Sequence, residues 1–250
     1  MTNLKQNRPL SYSSLKSFSV TPNHLISYWN KERTSSAAMV KGSLIHTLIL
    51  EPETFNDVYA IWNGGRRGTN AYKEFIAANE NKEIIKPEEL EEVKPIAELA
   101  RKNILIKNLK GAEELIEWEF SGVPFKGFID GYGEGFILDV KTTADASPRS
   151  FLRDFVKYKY YWQAALYLHA NRSLKLAGEN PDFFIIAVET SAPFNSQVYK
   201  VTPEFIDQGF KEVAKTVQEF KDWDGTPGGY EYNNIFAEGG VLPLEVPRWL

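Results

Sequence analysis

The chain has 250 residues, 43% of them hydrophobic, which is enough for one substantial core, and Lys+Arg 29 against Asp+Glu 33 leaves a net charge of −4. That balance provides no global basic field for nucleic acid, so such a partner would have to be met by a local patch. The absence of Cys excludes a disulfide framework, a thiol nucleophile, a Cys-ligated zinc and an iron–sulfur cluster, and the wide spacing of His24, His46 and His169 excludes an HExxH metalloprotease.

The opening MTNLKQNRPLS lacks the charged-then-apolar pattern of a signal peptide, and no apolar run approaches the ~20 residues of a membrane span. A cytoplasmic, soluble protein with no membrane contact is expected. Helices are expected from Ser11 or Ser13, where Leu15, Phe18, Leu25 and Tyr28 recur at helical spacing around a break at Thr21-Pro22. Residues 38 to 50, AMVKGSLIHTLIL, are apolar on nearly every side and read as a buried helix. NGGRRGTN at 63 to 70 has the composition of a mobile loop with exposed Arg66 and Arg67, ahead of a short helix around Tyr72 to Ala78.

A charged helix near Pro87 to Lys102 leads into three strand-like segments, Glu113 to Phe120, Val123 to Asp130 and Phe136 to Lys141. Two-residue turns at Ser121-Gly122 and Gly133-Glu134 would join them as an antiparallel meander. Helices near Ser147 to Val156 and Tyr160 to Leu176 follow, then a buried strand, FFIIAVE at 183 to 189, and a partner strand from Gln197 to Val201. A last amphipathic helix runs from Pro203 to about Trp223, and the tail over 224 to 250, ending VLPLEVPRWL, is expected to pack on the body. The order of these elements predicts a single α/β domain over residues 1 to 250, helical over about 1 to 60, with a central mixed sheet flanked by helices.

Acid-x-Lys occurs four times, at Glu80-x-Lys82, Glu92-x-Lys94, Asp139-x-Lys141 and Glu219-x-Lys221, so the pattern by itself selects nothing. Asp139-x-Lys141 differs because it closes the apolar run FIL. The strand period of two places Asp139 and Lys141 on one face and Val140 on the other. With a two-residue turn at Gly133-Glu134, Phe128 lies opposite Asp139 and Asp130 falls diagonally beside it. With one at Ser121-Gly122, Glu113 stands opposite Asp130, Glu114 being the substitute if a bulge intervenes. Carboxylates gathered in this way repel one another and require hydration, a shared proton or a cation. Hard oxygen ligands favour Mg²⁺ or Mn²⁺. A Lys beside the last ligand can orient a water or stabilise charge building on a phosphoryl oxygen, which suits metal-assisted phosphodiester hydrolysis. The bland alternative is an internal Asp139–Lys141 ion pair with Asp130 capping a turn.

Tyr160, Gln163 and Tyr167 form one stripe of a helix. Together with GFIDGYGEGFILDVKTT, the segment YKYYWQAALY resembles the RecB-like branch of the PD-(D/E)xK nucleases, and within it the exonuclease VIII (RecE-like) group of phages and prophages. SYSSLKSFSVTPNHLISYW resembles the Ser-x-Ser-x-Leu helix and following Pro that open these domains, and KGSLIHTLILEP resembles their Gly-x-x-x-His helix. The resemblance implies a restriction-endonuclease-like core over about 105 to 222. Its implied metal ligands are His46, Asp130, Asp139 and the Val140 carbonyl, and its catalytic lysine is Lys141. Gln163 and Tyr167 would position the scissile strand or order the site. Thr21 stands where cluster-bearing relatives have a Cys before the Pro, and no GxxxxGK[ST] motor motif is present.

The implied activity is a Mg²⁺- or Mn²⁺-dependent exonuclease acting on linear double-stranded DNA from 5′ ends in phage-type recombination, in a bacterial host cell. A single-strand annealing protein is the implied partner and a homo-oligomeric ring the implied assembly. DNA contact would fall to Arg66, Arg67, Arg149, Arg153, Lys157 and Lys159. A structure-specific or restriction-type endonuclease on the same fold, or a non-catalytic nuclease-like scaffold, are the rival readings.

Overall fold

The computed structural model describes residues 8–31 and 36–227. In chain order these form α1 (Tyr12–Phe18), α2 (Pro22–Asn30), α3 (Ala37–Leu50), a 3₁₀ turn, α4 (Phe55–Val58), β1 (Tyr59–Ile61), α5 (Asn70–Ala77), β2 (Glu83–Ile85), α6 (Pro87–Arg101) and α7 (Ile104–Lys107). Then come β3 (Gly111–Phe120), β4 (Val123–Gly133), β5 (Phe136–Thr143), α8 (Pro148–Lys157), α9 (Tyr160–Leu174), β6 (Asp182–Glu189), β7 (Ser196–Lys200) and α10 (Pro203–Asp222). The expected packing of the tail concerns residues 228–250, which lie outside the described residues.

The fold is mixed α/β. Five strands form one sheet in the order β3-β4-β5-β6-β7, antiparallel except for the parallel pair β5 and β6, which α8 and α9 connect as a crossover. At β5 and β6 the sheet is covered on both faces, which explains why FFIIAVE is apolar without alternation. Ile137, Ile185 and Ala187 face a core shared with Leu15, Leu25, Phe151, Trp162 and Val213 of the surrounding helices. Leu138, Val140, Ile186 and Val188 face the opposite core, with Leu44, Ile45 and Ile49 of α3 and Val93 and Ile96 of α6.

Several expectations are corrected. The second hairpin turns at Glu134-Gly135, not Gly133-Glu134: Gly133 pairs with Phe136, and Gly135 takes φ +75. A positive φ suits Gly at that position, and no such conformation is required of Glu134. The register therefore moves by two, and Asp130 comes level with Asp139 instead of diagonal to it. The first hairpin turns at Ser121-Gly122 as expected, both residues having positive φ, which is the requirement of a type I′ turn. α3 is buried only in its second half, since Met39 is 59% exposed. The loop at 63 to 70 is tied down: Trp62 Nε1 donates to Gly65 O at 3.1 Å, and Arg67 donates to Glu89 and Ile84 O. The parallel pair β1 and β2 was not expected, because three residues per strand are too few to display a period.

Candidate active site

The feature that builds the site is a fork between β4 and β5. Their ladder has three rungs, Gly133↔Phe136, Tyr132↔Ile137 and Gly131↔Leu138, and stops at Asp130 and Asp139. Below that point β4 pairs only with β3, while β5 continues alongside β6. Backbone groups that lose a ladder partner inside a protein must find another. Here side chains supply it. Asp130 Oδ2 accepts the Val140 N–H at 2.7 Å, and the Tyr167 hydroxyl donates to Phe128 O at 2.7 Å.

The fork brings together most of the residues that the sequence singled out. Asp139 is buried, accepts from Gln163 Nε2 at 2.6 Å, and has Lys141 Nζ at 2.6 Å, so Asp139 and Lys141 share the face toward α9 while Val140 packs in the opposite core. His46 reaches the fork from α3. Gly42, one turn earlier on the same helical face, lets α3 approach β5: a Cβ there would stand 3.2 Å from Thr142 Oγ1. A Gly-x-x-x-His spacing thus puts the close approach and the imidazole on one stripe.

His46 Nε2 lies 2.8 Å from Asp130 Oδ2, and His46 Nδ1 lies 2.6 Å from Glu113 Oε1. The first-hairpin register places Glu113 across from Asp130, as the turn arithmetic predicts, and Glu113 departs from strand geometry with φ +50. Positive φ at a non-Gly residue is strained backbone of the kind found at functional sites. Glu114, the substitute, is instead bonded by the Tyr132 hydroxyl at 2.6 Å.

The electrostatics follow from burial and pairing. Burial alone would lower the His46 pKa, but Asp130 first and Glu113 second carry it up to about 10. Burial works against the Asp130 carboxylate, yet His46, Lys141 and the Val140 N–H hold its pKa below the ordinary value. Asp139 is pushed upward by burial and by Asp130, against the pull of Lys141. Burial opposes the Lys141 charge, and the Asp139 and Asp130 carboxylates outweigh it.

A divalent cation fits this donor set. His46, Glu113 and Asp130 offer ligand atoms within 4.8 Å of one another. Glu113 Oε1 and Asp139 Oδ2 are buried and accept no well-aligned hydrogen bond, although His46 and Lys141 stand close to them. Asp139 itself lies outside the three-residue group, turned toward Gln163 and Lys141. In the absence of metal the His46 imidazolium supplies the balancing charge.

A folded-state pKa raised from 6.5 to about 10 contributes stability that is complete below about pH 6.5 and disappears as pH rises through about 10. With EDTA present, Tm should therefore fall more steeply between pH 7 and 10.5 in the wild type than in His46→Gln. Parallel profiles would show that the pair contributes nothing.

Residues that the sequence did not mark also reach the site. Lys16 of α1 lies over the Tyr12 ring at 4.9 Å, and burial, followed by Lys141 and Lys159, lowers its pKa. Tyr160, which the helical stripe did mark, has its ring centroid 5.0 Å from Lys141 Nζ. Glu51, whose carboxyl is raised by burial and then by Glu113, adds a further acid. Helical spacing marks the apolar faces of α1 and α3 and carries no signal for these polar ones. Of the proposed DNA contacts, Arg67 is paired with Glu89 at 2.7 Å, so its charge is locally offset. Arg66, Arg149, Arg153 and Lys157 are exposed, and Lys159 is half-buried with its Nζ 3.9 Å from the Trp162 ring centroid.

Comparison with known proteins agrees with this fold. A family model described as a PDDEXK-like domain of unknown function (DUF3799) matches residues 11–226. No curated protein matches the chain. Among solved structures, the chain is similar to a "putative exonuclease" from Eubacterium rectale, with 17% identity over 85% of this chain and 80% of that one and a TM-score of 0.62. At that identity the likeness is one of fold.

Proposed function

The chain belongs to the PDDEXK-like family matched over residues 11–226, and from that premise we propose that it is a metal-dependent DNA exonuclease. The observation that carries this reading is the β4–β5 fork, which holds Asp130, Asp139 and Lys141 together with the His46–Glu113 pair. A binding scaffold has no need to bury two carboxylates side by side, since each costs desolvation and they repel one another.

His46, Glu113, Asp130, Asp139 and the Val140 carbonyl would hold the cation, with Mg²⁺ or Mn²⁺ matching the oxygen-rich set and the imidazole favouring Mn²⁺. When bound, such an ion polarises a phosphoryl oxygen and lowers the pKa of water. The Lys141 ammonium, kept charged by two carboxylates, stands to stabilise negative charge developing on a phosphoryl oxygen or to hold the attacking water. Gln163 fixes Asp139, and Tyr167 fixes the β4 backbone, so both order the fork from α9.

Linear double-stranded DNA as substrate, 5′ to 3′ polarity, phage-type recombination, an annealing protein as partner and a ring assembly are supported by the resemblance of GFIDGYGEGFILDVKTT and YKYYWQAALY to the RecE-like group. Linear duplex labelled at the 5′ or the 3′ end, incubated with Mg²⁺, Mn²⁺ or EDTA, tests the activity directly. Metal-dependent release from 5′ ends, with relaxed closed circles surviving, is expected. Rapid linearisation of circles would replace the exonuclease with an endonuclease, and inertness on every substrate would favour the scaffold.

A further inference from the structure

We infer that Phe128 and Leu115 form a stacking platform for an unpaired nucleobase of the strand being cut, an inference that rests on the nuclease reading above. Phe128 is 55% exposed and Leu115 52% exposed, and they are direct cross-strand partners on β4 and β3. Leu115 and Phe128 share the face opposite the buried Ile116 and Ile129, and each stands two residues from an acid of the cluster, Glu113 and Asp130. The apolar pair therefore lies two residues outward from the acidic cluster, about 7 Å along the strands. Single exposed apolar residues need no explanation, but an exposed aromatic–aliphatic pair abutting buried carboxylates is a different case.

The platform is held relative to the fork. Tyr167, buried on α9 one turn beyond Gln163, donates to the Phe128 carbonyl at 2.7 Å. Its ring lies beneath Gly127, where a Cβ would stand 2.9 Å from the hydroxyl oxygen. The helix that fixes Asp139 thus also fixes the backbone under Phe128.

Charge decides what part of a nucleotide lies there. The rungs beyond the pair carry Glu117 opposite Lys126 and then Glu119, so acids outnumber bases outward of it. A phosphate would be repelled from it. The cations gather instead around Lys141, where Lys16 and Lys159 influence each other electrostatically. A strand with its scissile phosphate in the fork satisfies both constraints by keeping its backbone toward Lys16 and Lys159 and laying an uncharged base on Phe128 and Leu115. Inside a duplex that base's faces are already stacked on its neighbours, so the base must be unpaired. Stacking on an aromatic ring tolerates any base, which suits an enzyme that digests without regard to sequence. Frayed or single-stranded ends should accordingly be engaged in preference to blunt ones.

The test is binding of fluorescent 12-nucleotide single strands in Mn²⁺, intact or with one abasic position moved along the strand. The proteins are Lys141→Ala, which should digest the probe about 10²-fold more slowly or slower still, and Lys141→Ala combined with Phe128→Ala or Phe128→Trp. Phe128→Ala should weaken binding of the intact strand by roughly 5- to 100-fold, and Phe128→Trp should restore it. At one abasic position the Phe128-containing protein should lose the same factor, with Phe128→Ala adding nothing further. Equal affinity with and without Phe128, or an equal loss on every abasic strand, would overturn the platform. A change of oligomeric state in Phe128→Ala with DNA affinity intact would assign the pair to a second copy of the chain and likewise overturn it. Failure of the Phe128-containing protein to bind any strand would remove the nucleic-acid reading itself. Because Phe128 is exposed, its replacement should leave Tm unchanged.

Discussion

Lys141→Ala should lower cleavage by about 10²-fold or more, the loss typical of removing one electrostatic stabiliser of developing charge. Lys141 is the only cation within ion-pair reach of Asp139, at 2.6 Å, among the described residues, and its role as assigned falls in the transition state, not in substrate binding. Metal affinity supplies the internal control. Removing an ammonium from beside two carboxylates removes a competing positive charge, so Mn²⁺ should bind Lys141→Ala at least as tightly as the wild type. Asp139 keeps its hydrogen bond from Gln163, so the fork should remain ordered. Lys141→Arg keeps the charge but replaces a compact ammonium with a planar fork, and should recover only part of the activity. Near wild-type turnover in Lys141→Ala would reduce the Asp139–Lys141 pair to a structural ion pair.

How much of this site could be read in the sequence depends on which residues obey a period. Asp139 and Lys141 were legible because a strand fixes the faces of residues two apart, and Val140 turns to the opposite core as that rule requires. Glu113 was legible because Ser121-Gly122 has the chemistry of a two-residue turn, from which the register follows by counting. The second hairpin shows the limit. Two overlapping dipeptides, Gly133-Glu134 and Glu134-Gly135, both contain a glycine, and the choice between them moves Asp130 from diagonal to level with Asp139. The fork itself has no local signature. Its freed backbone groups are met by the Asp130 carboxylate and by Tyr167 of α9, while His46 of α3 and Gln163 of α9 hold the two aspartates, and those helices lie far from β4 in sequence. Lys16 and Glu51 join the site for the same reason, through tertiary packing that no short window contains. Likewise, the pairing of Arg67 with Glu89 is a long-range contact that the composition of NGGRRGTN could not reveal.

Asp130→Asn and Asp130→Ala should separate metal binding from folding, because Asp130 serves both. One of its oxygens accepts the Val140 N–H and faces His46, so the carboxylate closes the ladder gap and balances an imidazolium at the same time. Alanine removes both functions. An orphaned backbone N–H costs about 1–3 kcal/mol, and breaking a buried ion pair costs about 3–5 kcal/mol. His46 is 26% exposed and can be partly rehydrated, which places the combined loss for Asp130→Ala nearer about 4 kcal/mol than the sum. Asparagine retains an acceptor of the same shape for Val140 and loses the charge, so it should be less destabilising than alanine by about the 1–3 kcal/mol of the backbone cap, read from urea midpoints at pH 7. Metal binding should not follow that order. Both substitutions remove the carboxylate shared between His46 and the fork, so Mn²⁺ affinity should fall in Asp130→Asn by more than the roughly 10- to 100-fold that loss of an outer-shell partner costs. A folded Asp130→Asn protein that binds Mn²⁺ as the wild type does would leave Asp130 as a backbone cap alone, and the cation would then have to be sought around Asp139.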